Sequence, residues 1–163
     1  MIFSIRETLL GEVKSNICRF ITKQENDYYC GPAIAQAILK SFEIEIDQGE
    51  LALKLKTNDE NGTDNEELVR VLQDFGLKVE TKDRASVADV KRGLSLDKRI
   101  VVNYKEKIEE EGHFGIVHSV DIFSIKIHDP WNGLVVKFRL KDFESRWESG
   151  FQGHQNWMMM VSK

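Results

Sequence analysis

Residues 113–129 read HFGIVHSVDIFSIKIHD, two apolar runs of strand length that are separated by a short polar turn. This pattern predicts a β-hairpin that begins at His113 and returns to Asp129, so both residues should lie at the same end of it. An aspartate that shares a strand face with Ile125 and Ile127 is expected to be partly buried, and a buried carboxylate needs a partner. His113 is the expected partner, because a carboxylate can accept from one ring nitrogen and fix the tautomer.

Helix patterns precede this hairpin, and strand patterns surround and follow it. Apolar residues recur at helical spacing from about residue 30 to 42, and further helices are expected to start at Asp47, at Ser86, and at Thr63, which forms a capping box with Glu66. Strands are predicted at about 77–81, 100–102, 113–122, 124–129, 134–140 and 157–162. Because most helices precede most strands, the expected fold class is α+β, with N-terminal helices packed on a C-terminal antiparallel β-sheet.

Composition restricts the classes of function. The chain has 163 residues, 41% of them hydrophobic, and only two prolines, so residues 1–163 are expected to form a single domain. The net charge of -4 argues against a nucleic-acid partner. There is no secretory signal and no apolar run of about 20 residues, so we expect a cytoplasmic protein with no membrane segment.

Cys30 is the candidate nucleophile. It stands at the predicted start of the first helix, where the helix dipole favours a thiolate, and Pro32 suits the first helical turn. The second nitrogen of His113 is then free to take the thiol proton. Gln24 lies six residues before Cys30 and is expected to help the Cys30 backbone N–H form an oxyanion hole.

Several neighbouring residues have expected roles in substrate binding. Gly112, Phe114 and Trp131 are expected to contact substrate, and Gly115 to leave room for its approach. The run from Glu109 to Glu111 could attract a basic substrate, although most charge runs are solvated loops.

No cofactor is expected. Zinc is not expected either, because His113 and His118 should point to opposite faces of one strand. The two cysteines, Cys18 and Cys30, are expected to be free thiols, with Cys30 the faster to be alkylated.

Four motifs together resemble the papain-like cysteine peptidases that process the double-glycine leader peptides of bacteriocins. The motifs are Gln24, Cys30-Gly31, Gly112-His113-Phe114 and Asp129-Pro130, and the resemblance covers the chain from Gln24 to about Trp131. It implies a papain-like fold, with Cys30 as nucleophile, His113 as general base, Asp129 as the orienting carboxylate and Gln24 in the oxyanion hole. The Cys-Gly-Pro-Ala form is closer to stand-alone members than to those fused to an ABC exporter.

The sequence therefore predicts a cysteine peptidase that acts on a peptide or protein through an acyl-enzyme. Two alternatives stay open. The acyl-enzyme could be resolved by an amine or thiol, giving an acyltransferase or a deamidase, or the domain could bind peptides without turnover. The sequence does not identify the substrate or the oligomeric state.

Overall fold

The computed structural model describes residues 11–15, 17, 20, 22–106, 111–148 and 151–163. Within these residues four helices precede the four longest strands, and the predicted α+β class is confirmed. Its α-helices are α1 (Cys30–Ser41), α2 (Gln48–Lys54), α3 (Asn65–Asp74), α4 (Val87–Ser95) and α5 (Leu140–Trp147). A short 3-10 helix occupies Phe151–Gly153.

The strands form one antiparallel sheet in the described part of the chain. They are β1 (Val13–Lys14), β2 (Lys78–Lys82), β3 (Arg99–Lys105), β4 (Gly112–Val120), β5 (Ser124–Asp129), β6 (Leu134–Arg139) and β7 (Met158–Ser162). Their spatial order is β2-β7-β3-β4-β5-β6, and β1 pairs with the end of β4. Strand β4 lies between β3 and β5, and its first residues pair with the end of β3.

Helices cover both faces of the sheet. Strand side chains alternate between two cores, because successive residues point to opposite faces. Helices α1, α2 and α3 enclose one core, which contains Ile34, Ile38, Leu51, Leu68 and Leu72. Helices α4 and α5 enclose the other, which contains Val90, Leu94, Phe143 and Trp147. The N-terminal helices therefore pack on the sheet as predicted, and two further helices pack behind it.

Helix α1 is anchored by its apolar side chains. Six apolar residues of this helix have no exposed surface, among them Ile34, Ile38 and Leu39. Full burial of each of these three side chains stabilises the fold by about 1.5 to 3 kcal/mol. This packing fixes the direction of α1 and therefore the position of its first residue, Cys30.

The predicted hairpin is present. Strands β4 and β5 pair antiparallel, with Ile116 opposite His128 and Val117 opposite Ile127, and a β-bulge follows Val117. The register brings His113 and Asp129 to the same end of the sheet, as the alternation of the sequence predicted.

Two local predictions are wrong. Thr63 does not cap α3: the N-cap is Asp64, and the buried Thr63 hydroxyl pairs with that of Thr57 at 2.7 Å. Gly115 leaves no open space, because a Cβ there would lie 2.4 Å from Ile127 Cγ2 and 3.0 Å from Tyr104 Cε1. Gly115 instead lets these two side chains approach the strand.

Helix α5 was missed altogether. The strand predicted at 134–140 ends at Arg139, and the chain continues as α5 from Leu140. Phe143 and Trp147 are four residues apart, and both are buried on one face of this helix. This helical spacing was the signal in the sequence, hidden among polar residues.

In the ranges that the structure describes, none of the helices is long and apolar enough to cross a bilayer.

Candidate active site

Cys30 is the first residue of α1. Its thiol is free and partly buried, and Pro32 lies in the first turn, where its missing N–H is not needed. The other cysteine, Cys18, lies outside the described residues. The thiol therefore lies at the positive end of a twelve-residue helix, which favours the thiolate.

Gly31 allows the start of α1 to approach the loop before α3. A Cβ at Gly31 would lie 2.2 Å from Thr63 Oγ1 and 2.5 Å from Thr63 Cβ. Real Cβ atoms do not approach other atoms this closely, so no larger residue fits here without a shift of the helix or of Thr63. Gly31 and Thr63 together set how deeply the start of α1 is seated.

His113 and Asp129 form an ion pair at one end of the β4–β5 hairpin. His113 Nε2 lies 2.6 Å from Asp129 Oδ1, and both side chains are largely buried. The same Oδ1 accepts a hydrogen bond of 2.9 Å from the backbone N–H of Trp131. This second bond closes a turn after β5 and orients the carboxylate toward the ring.

The Cys30 thiol and the His113 ring are joined by a hydrogen bond. Because Nε2 faces Asp129, it is Nδ1 that faces the sulfur. The backbone N–H groups of Phe114 and Gly31 also point to the sulfur. Sulfur, imidazole and carboxylate therefore form one continuous chain of hydrogen bonds.

The electrostatics of this chain favour an ion pair. Burial raises the pKa of the Cys30 thiol, but the hydrogen bond and charge of His113 and the two backbone N–H groups lower it more, to below its ordinary value. Burial lowers the pKa of His113, but the bonds to Asp129 and Cys30 raise it, to about 10. Burial raises the pKa of Asp129 while His113 lowers it, with a net decrease. Both shifts favour a thiolate beside an imidazolium.

A cavity of about 540 Å³ opens onto this chain. Six of the seven residues singled out in the sequence line it: Cys30, His113, Asp129, Gly112, Phe114 and Trp131. The Phe114 ring itself is buried in the core against Trp157, at 6.1 Å between ring centroids, so Phe114 meets the cavity mainly through its backbone. Trp131 is 39% exposed and forms part of the rim.

Gln24 is the seventh predicted residue, and it is not part of the cavity lining. Its side chain is buried, Nε2 donates to the Asn26 carbonyl at 2.6 Å, and Oε1 has no partner in the described part of the chain. Its backbone N–H donates to the Pro130 carbonyl at 2.7 Å. Gln24 therefore lies next to the Asp129-Pro130 step, and one of its two amide hydrogens is already used.

Sequence reasoning missed several residues that line the cavity. Among them are Asp27, Thr63, Asn103, Tyr104 and Gln152. Tyr104 lies directly opposite His113 on β3, with its ring 5.9 Å from the imidazole. Only the strand register identifies it, since no motif in the sequence links a tyrosine nine residues upstream to the histidine.

The other histidines of the sheet have separate environments. His128 Nε2 donates to the Thr22 carbonyl at 3.2 Å, and His118 lies at the bulge of β4, near Lys14 and Lys126. In the described ranges no three His, Cys, Asp or Glu side chains are grouped so that they could hold a metal ion.

Comparison with known structures gives the same architecture. The peptidase domain of Streptococcus ComA, a bifunctional ABC transporter in a quorum-sensing pathway, aligns with a TM-score of 0.70 at 20% identity, covering 86% of this chain and 96% of that one. A putative C39-like peptidase from Bacillus anthracis aligns with a TM-score of 0.70 at 16% identity, over 93% and 98% of the two chains. The papain-like fold expected from the resemblance is confirmed.

A third structure contains a bound peptide. It is a double glycine motif protease from an AMS/PCAT transporter in complex with the leader peptide, with a TM-score of 0.67 at 13% identity over 86% of this chain and 89% of that one. No curated protein matches the chain. The profile of the Peptidase C39 family matches residues 19–151, which include every residue of the chain of hydrogen bonds described above. This protein therefore belongs to the Peptidase C39 family, and it is a cysteine peptidase.

Proposed function

We propose that Cys30 is the nucleophile of this peptidase, that His113 is its general acid and base, and that Asp129 orients the imidazole. The observation that carries the proposal is the continuous chain from Asp129 Oδ1 through the His113 ring to the Cys30 sulfur, which opens onto the cavity. A thiol, an imidazole and a carboxylate in this order are the groups that covalent hydrolysis of a peptide bond requires.

Each step of the reaction has an assigned group. The Cys30 thiolate attacks the carbonyl carbon of the scissile bond, and the His113 imidazolium then donates its Nδ1 proton to the leaving amine. The resulting thioester is attacked by water, which gives a proton back to His113. Cys30 leaves as the thiolate, so the ion pair is restored at the end of the cycle.

The oxyanion of the tetrahedral intermediate needs donors close to the sulfur. The Cys30 backbone N–H, at the start of α1, is one, because the first N–H groups of a helix have no intrahelical acceptor. We assign the second to Gln24, whose Nε2 keeps one hydrogen after its bond to Asn26. For this assignment, the side-chain amide of Gln24 must rotate toward the cavity during the reaction.

A peptide or protein is the proposed substrate. The cavity volume of about 540 Å³ accommodates several residues of an extended peptide. The structurally similar AMS/PCAT protease was crystallised with a bound leader peptide. Cleavage after a double-glycine motif is the specificity to test first, because the related AMS/PCAT protease acts on that motif. The cytoplasmic location, the single-domain organisation and the stand-alone form stay predictions of the sequence.

The decisive experiment compares wild-type protein with Cys30→Ala on a peptide library. We expect new peptide termini, detected by mass spectrometry, only with the wild-type protein. A gain of about 1 Da without cleavage would instead indicate deamidation, and a crosslinked mass would indicate acyl transfer. If the wild-type protein binds peptides but changes no mass, the proposal of catalysis is wrong.

A further inference from the structure

The walls of the cleft carry mainly acidic side chains. The whole chain is nearly balanced, with 23 Lys and Arg against 27 Asp and Glu. The cavity lining, by contrast, has no Lys or Arg among its described residues. It includes five carboxylates besides Asp129, namely Asp27, Asp59, Glu60, Glu106 and Glu111. Although the chain as a whole has nearly equal numbers of acidic and basic residues, its cleft is lined mainly by acidic ones.

These carboxylates come from three separate segments. Asp27 precedes α1, Asp59 and Glu60 lie in the loop between α2 and α3, and the two others flank the connection from β3 to β4. They lie on more than one wall of the cavity that holds Cys30. An occupant that extends across the cleft meets negative charge from several sides.

Four of the acidic side chains of the cleft also have no basic partner among the described residues. Asp27, Asp59, Glu60 and Glu111 form no ion pair with any Lys or Arg that the structure describes. Some carboxylates elsewhere on the surface do have basic partners, as Glu67 has in Lys56 at 2.8 Å and in Arg70. Unpaired like charges in a concavity concentrate the field there and attract the opposite charge.

Two buried polar atoms in the cavity wall also have no hydrogen-bond partner among the residues that the structure describes. Asn103 is 6% exposed, and its Nδ2 donates to Asn65 at 3.0 Å, which leaves Oδ1 without a hydrogen bond. Tyr104 is 1% exposed, and its hydroxyl has no partner. Buried polar atoms are normally paired, so both atoms indicate an occupant that supplies hydrogen bonds.

Basic side chains match this set of acceptors. Carboxylates accept only, and a Lys ammonium offers three donors and an Arg guanidinium five. A single metal ion fits less well, because the carboxylates are distributed along the cleft instead of converging on one point, and the described residues contain no metal-binding group. The occupant must therefore carry its positive charges along an extended backbone.

We propose that this peptidase selects substrates with Lys or Arg in the residues that flank the scissile bond. This specificity rests on the proposed function, since it assumes that peptide hydrolysis takes place at Cys30. The carboxylates draw the basic segment into the cleft, and Asn103 Oδ1 and the Tyr104 hydroxyl accept hydrogen bonds inside it.

The test uses the intact protein and a proteome-derived peptide library prepared with chymotrypsin, so that Lys and Arg are retained inside the peptides. Cleavage sites are mapped for wild-type protein, for Cys30→Ala, and for the double variant Asp59→Asn with Glu60→Gln. Glu43→Gln with Glu45→Gln is the matched control, because it removes the same charge beyond the other end of α1. The frequency of each amino acid around the cleavage sites is compared with its frequency in the whole library.

We expect Lys and Arg to be enriched within four residues of the cleaved bonds. The enrichment should decrease about fivefold in the Asp59 and Glu60 double variant and persist in the control. It should also decrease in 1 M salt, where the screening length is about 3 Å. Cys30-dependent cleavage without basic enrichment would overturn this inference and leave the proposed function intact. No Cys30-dependent cleavage would overturn the proposed function, and this inference with it.

Discussion

The two walls of the cleft hold their reactive groups in different ways. On the sheet wall, His113 and Asp129 are placed by strand register and joined by a direct bond of 2.6 Å. On the helix wall, the position of Cys30 depends mainly on packing, with α1 buried along one side and Gly31 in contact with Thr63. Strand register can change only in steps of whole residues, whereas a packed helix can shift by small distances. The position of the His113 ring is therefore fixed by the sheet, and its distance from the Cys30 sulfur depends on how closely α1 packs.

The largest expected effect comes from removing either reactive group. Cys30→Ala and His113→Ala should each lower kcat by an order of 10⁶-fold, because the two act as one unit and neither is useful alone. Peptide hydrolysis measured under single-turnover conditions checks this. Cys18→Ala is the matched control and should keep its activity. Substantial activity in His113→Ala would show that Cys30 does not depend on the imidazole for catalysis.

Within the sheet wall, Asp129→Asn should lower kcat by about 10⁴-fold. The carboxylate helps raise the pKa of His113, so its loss lowers that pKa and in turn raises the pKa of Cys30. The alkylation rate of Cys30 increases as the thiol ionises, so its pH profile should shift to higher pH in the variant than in the wild-type protein. Peptide mapping by mass spectrometry distinguishes Cys30 from Cys18. Identical pH profiles would mean that Asp129 does not influence the thiolate.

Between the walls, Gln24→Ala tests the oxyanion hole. Loss of one donor should lower kcat by about 10² to 10³-fold and leave KM nearly unchanged. Gln73→Ala, on the exposed side of α3, is the control. A decrease of less than threefold would indicate that Gln24 only holds the loop through Asn26 and Pro130.

On the helix wall, Gly31→Ala should reduce activity without removing any reactive group. The new Cβ would overlap Thr63, so the start of α1 must shift, and a displacement of about 1 Å from the ring costs about 10²-fold in rate. The strain should also lower the free energy of unfolding by about 1 to 3 kcal/mol. Thermal unfolding and alkylation rates measure the two effects.

The control for this change is Gly49→Ala on α2, where a Cβ meets only Asp47 Oδ1 at 3.3 Å. It should change stability by less than about 1 kcal/mol. If Gly31→Ala behaves like Gly49→Ala, the helix wall tolerates more movement than its packing implies.

The smallest expected effect is that of Trp131→Ala. Its indole lies on the rim, but the group that bonds Asp129 is the backbone N–H, which the substitution keeps. We expect KM to rise by no more than about tenfold, with kcat within twofold of wild type. A large fall in kcat would mean that the side chain also supports the carboxylate.

The sequence predicted the elements that depend on local periodicity. The hairpin from His113 to Asp129 and the helix from Cys30 were both foreseen, because alternation and helical spacing are local patterns that tertiary packing here reinforces. The proximity of sulfur, ring and carboxylate followed from these two elements together with the family resemblance.

What the sequence did not predict depends on contacts between distant segments. The hydroxyl of Thr63 bonds Thr57 and its side chain packs on Gly31, and this outweighed the capping pattern. The acidic lining is assembled from loops that are far apart in the chain, so no window of sequence contains it. Of the charge run at 109–111, Glu111 lines the cavity, and Glu109 and Glu110 lie outside the described residues.

Asp129 Oδ1 accepts two hydrogen bonds, one from the His113 imidazole and one from the backbone N–H of Trp131. The turn that forms the rim and the ring that moves protons are thus linked through a single oxygen atom. A substrate that displaces this turn also alters the basicity of the imidazole, so recognition at the rim is transmitted to the chemistry over the length of two hydrogen bonds.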